Sequence, residues 1–450
     1  MTGPVPAIRI SVCALLLAAP AASADAVKAP TFAKDIAPIF QAKCEACHRT
    51  DSMAPMSLVT YQDVRPWAKS IKARVTARQM PPWHIDKNVG IQEFKNDRSL
   101  SDQEIETIAR WVDGGAPMGD PKEMPAPIEW PDASVWNFAK LFGGPPDLIV
   151  KSPSFTMPAH AQDAWDKRST PSGVTEPRWV RAIEIRPATV KGRKIVHHAL
   201  ARLSQDDPID NAAAAGNDDD DSNVNAGPGL FMEWAVGKQG EIMRPDTGKL
   251  LLPGSQFVWD IHYSASGEEI TNNVELGIYF YPKGQEPKNR QVLHAMGTGG
   301  IDIPPDTVKG TQGFFVMKQP GRVESFQPHM HLRGKAMMIE AIMPSGKTEM
   351  LSHVDNFNFN WHNSYYYADE AAPLLPKGTI LRITAWHDNT PGNKSNPDPN
   401  QWVGSGDRTV DEMAHAWVNV TYMSDEDFKA EVEKRKASRP ARTTAAQQQQ

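Results

Sequence analysis

From about Gly144 onward the chain is written in period two. "RWVRAIEIRP", "KIVHHALARL", "SQFVWDIHYSASG", "VELGIYFYP", "MMIEAIMPSG", "TILRITAWHDNT" and "AWVNVTYM" each alternate apolar and polar residues over strand length. Pro, Gly, Asn and Asp separate them. Side chains on a strand alternate faces, so such runs bury one face each, and a region of roughly 280 residues built this way is all-β. It is long enough for two β-sandwich units. The composition agrees: Pro (38) outnumbers Gly (31), which suits a loop-rich β protein better than a helical bundle. A net charge of -6 gives no general pull toward nucleic acid or an anionic membrane surface.

Upstream the pattern is different. Residues 1–24 read as a secretory signal: Arg9, then the apolar "ISVCALLLAAPAA", then small residues around Ala24 and Ala26. The expectation is an exported, periplasmic protein with no membrane span. Residues 25–120 carry helical spacing. Ser101 and Glu104 form a capping box for a helix that Gly114 and Gly115 stop. A Pro-rich stretch, 121–145, reads as a linker. Residues 211–229 form an acidic low-complexity insert, read as a solvated loop, and residues 427–450 as a disordered tail.

Cysteine use is sparse. Cys13 leaves with the signal, so Cys44 and Cys47 are the only pair in the exported chain and form no disulfide framework. They stand in "CEACH", which fits C-x-x-C-H. The thiols can bind a haem's vinyl groups while His48 reaches the iron. A thioredoxin-like pair lacks its βαβ surroundings, and a zinc site lacks a second cysteine pair. For the other axial position Met80, in "RQMPPWH", is the choice, since the prolines stiffen the loop that presents it; Met53, Met56 and His84 are alternatives. With "CEACH" and "MPPW", residues 25–120 resemble a small class I cytochrome c, which implies an all-α domain carrying covalent haem c.

Five histidines fall in or beside strands of the β region: His197, His198, His262, His329 and His331. In "HMH", His329 and His331 point the same way and can share a metal, while Met330 points into the core. Adjacent His197 and His198 diverge on a regular strand. They meet on one ion only if the strand is distorted or the rings bind through different nitrogens; His262 then completes a three-imidazole site.

The ordered set "HHAL", "DIHYSASG", "HMHLRGKAM" and "TVDEMAHAWVNVTYM" resembles the copper type II, ascorbate-dependent monooxygenases over residues 146–423. The resemblance implies two jelly-roll domains, 146–290 and 291–426, each carrying one copper ion, facing across a solvent-filled cleft. It implies an electron-transfer copper on His197, His198 and His262, and an oxygen-activating copper on His329, His331 and Met413. Thioether sulfur favours Cu(I). Two departures stand out. The β region has no cysteine, and the positions that would anchor a substrate carboxylate hold Gln327, His415 and Trp417. His294, His353, His362 and His387 lie outside the motifs and read as structural or surface residues.

The fold expected is thus a small all-α cytochrome c domain followed by two all-β jelly-roll domains. The function expected is C–H hydroxylation of a small molecule with O₂, with electrons from ascorbate or a redox protein passing through the haem. The rival is a non-catalytic haem and copper electron-transfer or copper-handling protein. Copper nitrite reduction is excluded, because its blue-copper partner needs a cysteine the β region lacks.

Overall fold

The computed structural model describes residues 29–50, 52, 54, 56–130, 135–207, 229–235 and 240–438, together with Gly3. The signal sequence, Met53 and nearly all of the acidic insert lie outside the described residues. Strand outweighs helix, 38% against 17%, so the chain is mainly β. No described helix is long and apolar enough to cross a membrane.

One long sheet runs through the β region. Its path is Leu148–Lys151, Val274–Phe280, Arg178–Pro187, Thr247–Leu251, Asn289–Thr298, Ala414–Tyr422, Gly321–Val323 and Leu374–Leu375. Two shorter sheets cover it. The first pairs Ala164–Asp166, Gln256–Tyr263, Val196–Ser204 and Gly229–Ala235, with Ser169–Pro171 also on Gln256–Tyr263. The second orders Ile85–Gly90, Thr348–Val354, Gly334–Ile342, Ile380–Asp388 and Val308–Val316. Each encloses a separate core against the long sheet. Val180, Ile183, Leu276, Phe257, Trp259 and Ile261 belong to the first core, and Phe326, Met330, Ile339, Ile383, Val418 and Val420 to the second. This is the sandwich arrangement the alternating runs require.

The two sandwiches join where Thr247–Leu251 runs parallel to Asn289–Thr298, through Thr247↔Asn289 and Gly248↔Arg290. Buried polar groups reinforce the joint. Arg244 of the first unit bonds Glu324 of the second through Nε at 2.7 Å, and Arg322 bonds the same carboxylate at 2.8 Å. Leu200 and Leu230 of the first unit pack on Leu293 and Trp417 of the second.

The N-terminal region contains Phe32–Ile36, Ala37–Lys43, Tyr61–Val64, Ala68–Thr76 and Asp102–Asp113, all helical. They pack around Phe32, Phe40, Ile71, Val75, Ile108 and Trp111. The capping box is formed at both ends, with Ser101 accepting from Glu104 N–H and Glu104 accepting from Ser101 N–H. The region is not all-α, however. After Pro81 and Pro82 break the helical pattern, Ile85–Gly90 becomes an edge strand of the second side sheet, antiparallel to Thr348–Val354. Ile85 and Phe94 enter the second β core.

Two further segments differ from their sequence reading. In the stretch read as a linker, Trp136 is buried, Phe138 N–H donates to Glu184 at 2.8 Å, and Ala139–Phe142 forms a helical turn. The expected tail begins as a helix, Asp425–Ser438. Ser424 Oγ accepts from Asp427 N–H at 3.1 Å, acidic residues fill the first turn, and Arg435 reaches the Asp369 carbonyl at 3.1 Å. Capping and this tertiary anchor supply what the helix's polar composition does not. Residues 439–450 lie outside the described residues.

Candidate metal centre

The adjacent histidines are reconciled by a bulge. His198 pairs with His262, and the next partners are Val196 and Tyr263, so His197 is the extra residue. A bulge sets two residues against one and turns their side chains out of strict alternation. The three rings then meet, with centroids 5.5 Å apart for His197–His198, 5.1 Å for His197–His262 and 5.0 Å for His198–His262. One donor atom from each lies within 4.8 Å of the others, the one such triad of metal-ligating side chains among the described residues.

Hydrogen bonding sets which nitrogens are free. His262 Nε2 stands 2.8 Å from an Asp163 carboxylate oxygen, which can only accept. Nε2 therefore carries the proton, and Nδ1, buried without a partner, keeps its lone pair. Trp165 stacks on the same ring at 4.4 Å and 5°. A carboxylate behind an imidazole is the usual support of a metal-binding histidine. The Nδ1 atoms of His197 and His198 face one another at 3.2 Å. A metal–imidazole bond is about 2.0 Å, so two nitrogens on one tetrahedral ion stand roughly 3.3 Å apart. Burial pushes His198 well below its ordinary value, aided by His362 and His262, and it also lowers His197. Both are neutral at pH 7, as ligands must be.

The second set lies on Ser325–His329 and the loop after it. Met330 is fully buried in the second core. The rings of His329 and His331 are 5.4 Å apart. His331 Nδ1 donates to the Asp411 carbonyl at 3.0 Å, which leaves its Nε2 with the lone pair. Glu412 clamps this loop, accepting from His331 N–H at 2.9 Å and Arg333 N–H at 2.6 Å. Arg333, itself buried, reaches the Val410 carbonyl at 2.9 Å. "HMHLR" and "DEM", 80 positions apart, are thereby locked together. Burial raises Glu412 to about 7 against the pull of these donors. Met413 is half-buried just before Ala414–Tyr422, its carbonyl accepting from His387 Nε2 at 3.0 Å.

His415 faces the same place. It pairs with His329 across the sheet and stacks on it at 4.9 Å, and Trp417 stacks on His329 at 4.8 Å. Gln327 is buried and accepts from the Ser364 hydroxyl.

Sequence reasoning gave His362 no place in either set. It is buried between the two sets, its ring 6.3 Å from His198 and 4.9 Å from His329. Phe359 fills the adjoining space, 5.7 Å from His197 and 6.0 Å from His331. The histidines therefore form one continuous cluster, half-buried at His197 and His198 and buried elsewhere, rather than two groups separated by a cleft. Asp163, Glu412 and Phe359 were also missed, because an isolated acid or aromatic in a loop has no periodic signature. His387 Nε2 lies 3.4 Å from Glu412, and His353 Nδ1 lies 3.4 Å from Asp86.

In the helical region, "CEACH" closes a turn in which Cys47 and His48 N–H both donate to the Cys44 carbonyl, at 3.1 and 2.9 Å. His48 Nδ1 donates to the Met56 carbonyl at 3.2 Å, leaving Nε2 with its lone pair. Burial pushes the Cys44 thiol up to about 12, and Cys47 is raised for the same reason. These are not the depressed thiols of a redox pair. Met56 packs on the helical core. Met80 is half-buried and, among the described residues, does not join that core. His84 is drawn to the second β unit, where its N–H donates to Tyr365 Oη at 3.2 Å. Beside it, Asn363 Nδ2 donates to the Pro82 carbonyl at 2.8 Å, and Trp83 packs edge-on to Tyr365 at 4.8 Å.

No family model and no curated protein matches the chain. Among solved structures, the major capsid protein P2 of bacteriophage PM2 is similar at 9% identity, covering 61% of this chain and 97% of its own, with a TM-score of 0.25. The VP2 subviral particle of infectious bursal disease virus gives 13% identity, 55% and 58% coverage, and a TM-score of 0.17. Likenesses this slight carry no argument about fold or function.

Proposed function

We propose that this protein is an exported copper-dependent monooxygenase that hydroxylates a C–H bond of a small molecule, with electrons entering through a covalently held haem. The observation that carries the reading is the convergence of His197, His198 and His262, with donor atoms within 4.8 Å, beside His329 and His331 in one cluster. Copper held there would supply one-electron transfer and O₂ activation, as the resemblance to the copper type II monooxygenases implies, and haem c would supply electrons one at a time.

The chain's own residues have definable roles. Asp163 and Trp165 orient His262 so that Nδ1 faces His197 and His198. The Asp411 carbonyl and Glu412 orient His331 so that Nε2 is presented. Met413 is placed on the clamped segment and would add the sulfur donor. Phe359, Trp417 and the interface leucines keep bulk water from the cluster. His48 would hold the iron through Nε2, with Cys44 and Cys47 fixing the macrocycle; Met80 is the proposed second axial ligand. The Pro82–Asn363 hydrogen bond supports the electron route, since Asn363 adjoins His362 in sequence. None of Gln327, His415 and Trp417 is cationic at neutral pH. Burial holds His415 down to about 3, so a neutral substrate suits these positions better than a carboxylate.

The burial of the cluster also favours a second reading, a haem and copper electron carrier without hydroxylase chemistry. The copper-loaded, reduced protein supplied with ¹⁸O₂ and a panel of small apolar substrates separates the two. One labelled oxygen atom per product is expected. Haem reoxidation with no labelled product from any substrate would favour the carrier.

A further inference from the structure

Resting on the two-centre reading above, we infer that His362 is a ligand of the second metal centre, binding through Nδ1 alongside His329. The first centre supplies the internal standard. There, two imidazoles that sequence analysis assigns to one ion face each other Nδ1 to Nδ1 at 3.2 Å. His329 and His362 repeat that arrangement, Nδ1 to Nδ1 at 3.2 Å, with ring centroids 4.9 Å apart. Both separations match the roughly 3.3 Å span of two nitrogens on one tetrahedral ion.

His387, equally buried, has its Nε2 bonded to a carbonyl and lies 3.4 Å from a carboxylate. In His362 it is Nδ1 that has the partner, His329, while Nε2 is sealed from solvent without a hydrogen bond. The surroundings fix the ring in place. Phe357 and Phe359 meet it edge-on at 6.1 and 5.5 Å, and the Asn363–Pro82 hydrogen bond tethers the next residue. The second centre then has His329 and His362 as its imidazole pair, with His331 beside them, its ring 5.4 Å from that of His329. His362 also lies between the centres, its ring 4.9 Å from that of His329 and 6.3 Å from that of His198.

The test is Cu(II) titration of the full exported protein and of His362→Ala and His362→Gln, read by bound copper per chain and by the Cu(II) EPR spectrum. His353→Ala, a histidine outside the cluster, is the control. Wild type and the control are expected to bind two coppers. Both His362 variants should keep the first copper with its spectrum intact and bind the second at least about 10-fold more weakly, with a changed nitrogen hyperfine pattern. The retained first copper shows that the variant is folded. Unchanged affinity and spectrum of the second copper in either variant overturn the inference while leaving the two-centre reading in place. A wild-type protein that binds fewer than two coppers overturns the reading beneath it.

Discussion

Alanine in place of His329 is expected to reduce ¹⁸O incorporation into product more than about 100-fold, since loss of a residue that merely orients a metal ligand already costs about 10–100-fold. His329 is the hub of the second set. It neighbours His331, His362, His415 and Trp417, all with ring centroids within 5.4 Å of its own. Burial first, then His415 and His362, push it well below its ordinary value, so it presents a neutral nitrogen throughout the physiological range. The first triad is untouched by the change, so haem reduction and one bound copper should persist. Product formation above about a tenth of wild type would show that oxygen chemistry occurs elsewhere.

Replacing Glu324 by alanine is expected to destabilise the protein by about 3 kcal/mol, because it strands buried guanidinium groups. Its carboxylate accepts from Arg244, Arg322 and the Thr421 hydroxyl, the last at 2.7 Å, and Arg244 reaches it from the other sandwich. Asp369, 2.8 Å from Arg244, retains part of the compensation, which places the cost at the low end. In a unit of this size the midpoint of thermal unfolding should fall by roughly 6–12 °C. The pH dependence has a definite sign. Burial alone would raise this carboxyl, but Arg322 and Arg244 hold it below its ordinary 4.5. A depressed carboxylate contributes stability that is present above its unfolded value and lost as pH falls through the folded one. Wild type should lose this contribution on acidification below about pH 4.5, and the variant should have none to lose. Melting curves of the two proteins from pH 7 to 3 should therefore converge; a constant gap across that range would contradict the assignment.

The parts of the fold that were legible follow one periodicity each. Alternating runs marked the strands of both sandwiches, and the Ser101–Glu104 box marked a helix start, because those signals are local. Met330 as a core residue followed from the parity of its neighbours. The need for distortion at His197 and His198 was also legible, although not that the bulge falls opposite His262 and Tyr263. What the sequence concealed depends on contacts between distant segments. Ile85–Gly90 carries few apolar residues and becomes a strand because Thr348–Val354 offers an open edge. Asp425–Ser438 has a polar surface all round, and its capping and the reach of Arg435 decide its state. His362 looked like an isolated histidine in an aromatic loop, and only the docking of that loop between the sandwiches carries it to His198 and His329. Asp163 lies 99 positions from the His262 it supports.

Metal and haem analysis of the exported protein, together with its visible spectrum, tests the central claim most directly. One covalently bound haem and two coppers per chain are expected, with the coppers removable by a chelator and the haem retained. A protein with no thioether-linked haem, or one in which His262→Ala and His329→Ala leave the copper content unchanged, would contradict it.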